Sequence, residues 1–538
     1  MSVIPPPIRQ ISALDVKTML SDALEIAFLD VREHGQYGEG HPFFSVNCPY
    51  SLIEKKAAEL VPNPAARVVL MDDGDGIALL AIRRLQALGY GDVSILEGGA
   101  PAWAAAGFQL FKGVNVPSKA FGELVEHDMD TPSMSADELQ RRLTEGEPVA
   151  LFDGRTPAEY AKMNIPGAVS LPNAELGLRL PALLQDPLMP VVINCAGRTR
   201  SIIGAQTLLN LGFRNPIVAL RNGTQGWQLA GHKLNHGATA APMPDLSPQE
   251  LDQARTRYTA FVKANDLPVI DQTTLKKWRE DRSRTIYLFD TRSDAEFAAG
   301  HVPGARHAPG GQLVQATDLW IGVRNARVVL SDPLGLRAAT TCFWLRRMGH
   351  DAYILDTDER DLSQKCTDPD GASDNGGDFA GVAATALATH LKNGAQLFDL
   401  SPGYEFRNGH IAQAKWAIRP RLKQQAIDPA RPVILTSSDP ALARLAAIDL
   451  VEMGIDAPLL LPHDPDKWRS AGLDIISTPS VPTDADMIDF LFFVHDRHSG
   501  VLESARRYLE WETGLIAQMD EDELQTFQTG PAAATSSP

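Results

Sequence analysis

One feature limits this chain's fold more than any other: it carries the same unit four times. An apolar strand ending in Asp recurs as FLDVR (28–32), LFDGR (151–155), LFDTR (288–292) and LFDLS (397–401). Each copy continues into a β-branched strand, a polar loop and an amphipathic helix that stops at Gly89, Gly212, Gly349 or Gly454. The residue 17 positions before those glycines is Asp72, Cys195, Asp332 and Ser437, so these four occupy equivalent loop positions. The distance from the strand-end Asp to that position is 42 residues in the first three copies and 38 in the fourth. A further apolar strand and a Gly/Trp element lead to Trp103, Trp227 and Trp468, and YILDTDERD in the third copy lacks the element. Self-similarity of this kind has to be recognised before any single segment is assigned.

Short apolar strands alternating with helices predict a parallel sheet covered on both faces. The expected fold class is therefore α/β: four tandem modules, each a small parallel sheet with helices on both faces, followed by a helical C-terminal extension. A chain of 538 residues accommodates roughly three to five domains. The repeats place boundaries at about 1–115, 116–240, 241–361 and 362–478, with 479–538 as extension and tail. Ser135 to Glu138 reads as a capping box. The Asp- and Gly-rich 367–378 reads as a mobile linker, and the final TGPAAATSSP as a fraying end. In the extension, Val501, Ala505, Tyr508 and Trp511 share one helical stripe, expected to dock on a neighbouring module. The apolar run Met487–Val494 is too short for a membrane span and reads as a strand or a buried helical turn.

A net charge of −17 argues against nucleic acid and anionic membrane as partners, so any anion site must be a local basic patch. Cys48, Cys195, Cys342 and Cys366 form no CxxC pair, which predicts neither a disulfide framework nor a zinc site, and fits reduced thiols in a cytoplasmic protein. MSVIPPPIRQ has no signal-peptide pattern. His495 and His498 lack further ligands at metal spacing and read as a solvated pair; no metal and no cofactor is expected.

The second copy resembles the rhodanese family. The resemblance is carried by Asp153, Arg155, Glu159, Tyr160, Pro166-Gly167-Ala168 and the six-residue loop CAGRTR at 195–200. It is partial in the first and fourth copies. In the third, GHVPGA (300–305) matches while the loop does not, and in the second Met163-Asn164 replaces the family's usual Gly-His. Beside the resemblance stands a physical case for Cys195. It follows a strand at the carboxyl edge of a parallel sheet and opens a loop that runs into a helix N-terminus. Backbone N–H groups there form an anion nest, and Arg198 and Arg200 add charge, which predicts a lowered thiol pKa and a dianionic substrate.

The resemblance implies a thiosulfate sulfurtransferase working by double displacement. Cys195 would be the nucleophile, and Ala196, Gly197, Arg198, Thr199, Arg200 and Ser201 would bind substrate. Asp153, Arg155 and Glu159 would support the loop from beneath, with Trp227 in the core or, as an alternative, also at the pocket mouth. The acceptor would be cyanide or a thiol. Asp72, Asp332 and Ser437 predict inactive copies, since none can carry a persulfide and a carboxylate there would repel thiosulfate. Cys48, Cys342 and Cys366 are not expected to be catalytic, although Cys366 is a conceivable sulfur acceptor. Alternatives are a 3-mercaptopyruvate or persulfide donor, and a scaffold or sulfur-carrier-binding protein. A phosphatase or arsenate reductase of related fold is disfavoured because it needs Arg six positions after Cys, where Ser201 stands. The silent copies would enlarge the core, form a homodimer or dock a sulfur-accepting protein.

Overall fold

In the second copy the run Val-Val-Ile-Asn is buried along its whole length, as expected of a strand covered on both faces. We label the elements of this module in chain order: α1 (Val116–Asp128), β1 (Ser133–Met134), α2 (Ala136–Glu145), β2 (Ala150–Asp153), α3 (Pro157–Lys162), β3 (Val169–Ser170), α4 (Asn173–Leu183), β4 (Val191–Asn194), α5 (Thr199–Asn210), β5 (Ile217–Leu220) and α6 (Gly223–Leu229). The computed structural model describes residues 8–184, 186, 188–365, 379–498 and 501–530. The 367–378 linker and Cys366 lie outside them, as does most of the C-terminal tail.

The five strands pair in the order β1-β5-β4-β2-β3, all parallel, with Phe152 opposite Ile193 and Asp153 opposite Asn194. The first copy repeats this order with strands Arg9–Ile11, Val93–Leu96, Arg67–Met71, Ile26–Asp30 and Val46–Asn47. The third does so with Val269–Ile270, Asp351–Leu355, Arg327–Ser331, Ile286–Asp290 and Arg306–His307. The fourth has four parallel strands, and a single bridge between Gly381 and Leu460 stands where the others have their outer strand. The chain is thus four parallel α/β units followed by a helical C-terminal region.

These units are not independent beads. One apolar core runs through the first three, from Leu70 and Ile82 through Phe121, Ile193 and Leu208 to Leu330 and Trp344. Trp344 Nε1 donates to Thr207 Oγ1 at 2.8 Å, and Tyr287 Oη donates to the Leu60 carbonyl, tying the third unit to the second and the first. The fourth unit joins the first through a buried polar knot. Arg419 is bidentate to Glu54 (2.6 and 2.7 Å), reaches Asp449 (2.8 and 3.0 Å) and stacks over Tyr50.

The C-terminal region carries α7 (Leu502–Thr513), which packs on α1 and α6 of the second unit. Its buried residues include Ala505 and Tyr508, two members of the stripe expected to dock. Met487–Val494 forms turns and irregular chain instead of a strand or helical turn, although Met487 and Val494 are themselves buried. His495 pairs with Asp496, and the side chain of His498 lies outside the described residues. No helix among the described residues is long and apolar enough to cross a membrane.

Candidate active site

The loop that opens with Cys195 is fixed from two directions. From below, Asp153 at the end of β2 is fully buried and pairs with Arg155, Nε to Oδ1 at 2.9 Å and Nη2 to Oδ2 at 2.7 Å, while Asn194 Nδ2 donates to the same carboxylate at 3.2 Å. Arg155 also donates to the Met163 carbonyl at 2.6 Å, as Arg32 does to Gly40 and Arg292 to Gly300. The contact is to backbone, so replacing the Gly of Gly-His by Met163 leaves it intact. Asn164 Nδ2 donates to the Tyr160 carbonyl four residues back at 3.0 Å, a contact the imidazoles of His301 and His410 make with Phe297 and Phe406.

From the side, the N-terminus of α6 takes up the loop's carbonyls. Thr224 N donates to Cys195 O at 2.8 Å and Gln225 N to Ala196 O at 3.1 Å. Gly223 has φ +54°, and a Cβ there would lie 2.3 Å from Cys195 O, so this close approach requires glycine.

Cys195 lies at the floor of a cavity of about 110 Å³, lined by residues 195–200 together with Glu159, Lys119, Gln315 and the C-terminal stretch. Its Sγ is 3.6 Å from Ser201 Oγ and 3.7 Å from the Arg198 carbonyl. Ala196, Gly197, Arg198, Thr199 and Arg200 all line the cavity, whereas Ser201 sits behind the sulfur. Trp227 is packed in the apolar core with Leu139, Leu151 and Val192, its indole N–H on the Lys233 carbonyl, and is not part of the cavity wall.

The two loop arginines are committed to carboxylates. Arg200 is bidentate to Glu159, both contacts 2.7 Å. Burial works against the charge of Glu159, but the Arg200 guanidinium prevails and holds the carboxyl down at about 2. Glu159 therefore reaches the loop through the Arg200 side chain, while it also accepts from Thr156 N at 3.3 Å in the cap of α3. Arg198 points away from the sulfur onto α1, with Nε 2.6 Å and Nη2 2.8 Å from Glu123, a further contact to Glu126, and Asn222 at 3.1 Å. The expectation that Arg198 lends a free positive charge to the site is corrected here: in a chain rich in carboxylates, α1 supplies two acidic side chains that claim it. Its guanidinium pins α1 to the loop.

The silent loops correct a second expectation. Instead of standing at the mouth of its nest, the Asp72 carboxylate occupies it, accepting from Gly74 N (2.8 Å), Gly76 N (3.1 Å) and Ala78 N (2.9 Å). Asp332 accepts from Leu334 N (3.3 Å), Arg337 N (2.9 Å) and Arg337 Nη2 (2.9 Å). Ser437 Oγ accepts from Asp439 N at 3.2 Å. By repeat position, these donors correspond to the amides of Gly197, Thr199, Arg200 and Ser201 and to the Arg200 side chain. Cys48 and Cys342 are buried away from any such nest, and burial pushes each thiol up to about 12.

Repeat spacing points to none of the cavity wall beyond the loop and Glu159. Lys119 comes from α1 of the second unit, Gln315 from the third unit, and Leu491, Phe493, Val494, Arg497, Tyr508 and Trp511 from the C-terminal stretch. The stripe of α7 was legible as a docking face, but nothing in its spacing says that it docks over the thiol. Beneath it, Glu512 is fully buried and accepts from Thr199 Oγ1 at 2.7 Å.

Fold and site define a class: tandem parallel α/β modules in which a loop at the carboxyl edge of a sheet presents a thiol to a cavity. The family model described as the rhodanese-like domain matches residues 12–106, 135–230 and 271–358, just over half of the sequence. This chain belongs to the rhodanese family. Among solved structures it is similar to a thiosulfate sulfurtransferase from Pseudomonas aeruginosa, with 38% identity, 97% of this chain and 99% of that chain covered, and a TM-score of 0.88. A curated thiosulfate sulfurtransferase of Pseudomonas aeruginosa is 29% identical over 174 residues, 28% of this chain and 63% of that protein. A sulfurtransferase of Allochromatium vinosum is 34% identical over 98 residues, 18% of this chain and 89% of that protein.

Proposed function

We propose that this protein is a sulfurtransferase that moves sulfane sulfur from thiosulfate to cyanide or a thiol through a persulfide on Cys195. One observation carries the reading: at the position of Cys195, two sister loops hold a carboxylate against their own amides, which supports reading the nest as an anion receptor. In the second unit the side chain is a thiol that opens onto a cavity instead.

In the first half-reaction the Cys195 thiolate attacks the outer sulfur of thiosulfate. A new S–S bond forms to Cys195, the S–S bond of thiosulfate breaks, and sulfite leaves with the electron pair. The amides of Gly197, Thr199, Arg200 and Ser201 cradle the terminal persulfide sulfur, as their counterparts cradle a carboxylate. In the second half-reaction cyanide attacks that sulfur, thiocyanate departs and the thiolate returns, which gives ping-pong kinetics. Arg200 orients the loop through Glu159, Arg198 anchors it to α1, and the Asp153–Arg155 pair supports it from below. No step requires a cofactor.

The catalytic unit spans about 116–240. The units at about 1–115, 241–361 and 362–478 are structural, a role supported by the core that the first three share. The unpaired, buried Cys48 and Cys342 fit a reducing, cytoplasmic setting. The test is intact-mass analysis after thiosulfate. We expect a gain of one sulfur atom that survives Cys48→Ser and Cys342→Ser, is lost in Cys195→Ser and is discharged by cyanide. Absence of the gain in the wild-type protein refutes the reading.

A further inference from the structure

The cavity over Cys195 contains two cations that the catalytic unit does not provide, or does not neutralise. The loop's own arginines are each matched by carboxylates, Arg200 by Glu159 and Arg198 by Glu123 and Glu126. Lys119 on α1 is differently placed. Its side chain is 11% exposed, and its Nζ lies 3.7 Å from Glu512 Oε1, an ion pair longer than a hydrogen bond. Arg497 has no carboxylate within ion-pairing distance among the described residues. Its guanidinium is stacked 4.7 Å from the Tyr508 ring centroid, with Nη1 donating to the Val494 carbonyl at 3.1 Å.

Three buried polar atoms on the same wall have no hydrogen-bond partner: Asn115 Oδ1, Gln315 Oε1 and Arg497 Nε. These three atoms have donor or acceptor capacity left over, which a polar ligand in this cavity can take up. The roof is shaped as well as charged. Phe493 and Trp511 pack edge to face at 5.7 Å, and α7 is held down by Thr199 on Glu512 and by Trp511 Nε1 on the Lys112 carbonyl at 2.8 Å. Gly197 adjoins this roof, for a Cβ there would lie 2.9 Å from Tyr508 Cε1.

We propose that Lys119 and Arg497 form the subsite for the anionic end of the sulfur donor, so that the C-terminal extension is part of the active site and limits it to small oxyanion-bearing donors. This rests on the sulfurtransferase reading above. The donor lies with its outer sulfur at Cys195 Sγ and its oxyanion end between the ammonium and the guanidinium. The sulfite that departs is formed against the same two cations.

The test uses the full-length protein, varying thiosulfate at fixed cyanide. Arg497→Met and Lys119→Met are each expected to raise the KM for thiosulfate about tenfold, the worth of one charge-assisted contact. The KM for cyanide and the rate at which cyanide discharges a preformed persulfide stay unchanged. Arg497→Lys recovers part of the loss. Arg506→Met, on the exposed side of α7, keeps the wild-type KM. Because Lys119 is buried, thermal melts accompany that variant, and if it fails to fold the partly exposed Arg497 decides alone. A wild-type KM in Arg497→Met, with the parent protein active, overturns the subsite. A parent protein that takes no sulfur from thiosulfate removes the functional reading itself.

Discussion

The second and third units contain the same bidentate pair, Glu159–Arg200 beside a thiol and Glu296–Arg337 beside a carboxylate, which provides a control within one molecule. Consider Glu159→Gln. The carboxyl is held at about 2 against an ordinary 4.5, which at about 1.4 kcal/mol per pKa unit corresponds to roughly 3 kcal/mol. Its side chain remains 39% exposed, so solvent screening reduces this to about 1–2 kcal/mol. A depressed carboxyl stabilises the fold fully above pH 4.5 and loses its contribution as pH falls towards 2, so the deficit of the variant must shrink over that window. Glu296 is held equally low, but when it is neutralised Arg337 keeps Glu175 at 3.0 Å and Asp332 at 2.9 Å. Glu296→Gln therefore costs less, about 0.5–1 kcal/mol. Urea midpoints at pH 7 and pH 3 measure both. Thiocyanate formation separates the roles further: Glu159→Gln loses about tenfold in turnover because the loop that holds Cys195 loses its orientation, and Glu296→Gln loses none. Equal loss of activity in the two variants, or a stability gap that does not narrow on acidification, refutes the reasoning.

Two further outcomes concern the frame. Glu33 is buried, and burial raises its carboxyl to about 7, so the folded state holds a proton that the unfolded chain releases near 4.5 and wild-type stability falls as pH rises through that window. Glu33→Gln retains an acceptor for Ser51 N and is expected to raise the urea midpoint at pH 8 while leaving it nearly unchanged at pH 4.5. Arg419→Met leaves Glu54 and Asp449 facing each other at the junction of the first and fourth units, with Arg84 still between them and the Tyr50 hydroxyl on Asp449. It is expected to cost about 3–5 kcal/mol, read as an early loss of the fourth unit in hydrogen exchange.

The repeat made the sheets and the reactive position legible because strand-end Asp, loop and terminal Gly sit at fixed spacings, and those spacings are set by a parallel βα unit. The Asp153–Arg155 pair was legible as support for the same reason. What spacing does not encode is contact between distant segments. Arg198 looked free because Glu123 and Glu126 lie more than 70 residues away on a helix whose position depends on three packed units. The stripe on α7 announced a docking face without its destination. The run Met487–Val494 looked like a regular element because it is apolar, and it is apolar because its turns close over other side chains. Asp72 and Asp332 were read by their charge alone, whereas the short reach of an aspartate turns that charge inward.

That inward turn has a consequence for how the four loops behave through a catalytic cycle. In the first and third units the amides are satisfied from within the chain, so the loop keeps one shape whatever the solution contains. In the proposed cycle the corresponding donors at Cys195 meet an anion only while the sulfur is ionised or loaded. On that proposal this loop gains and loses its internal counter-ion with each turnover, while the first and third units form a stationary mount beside it.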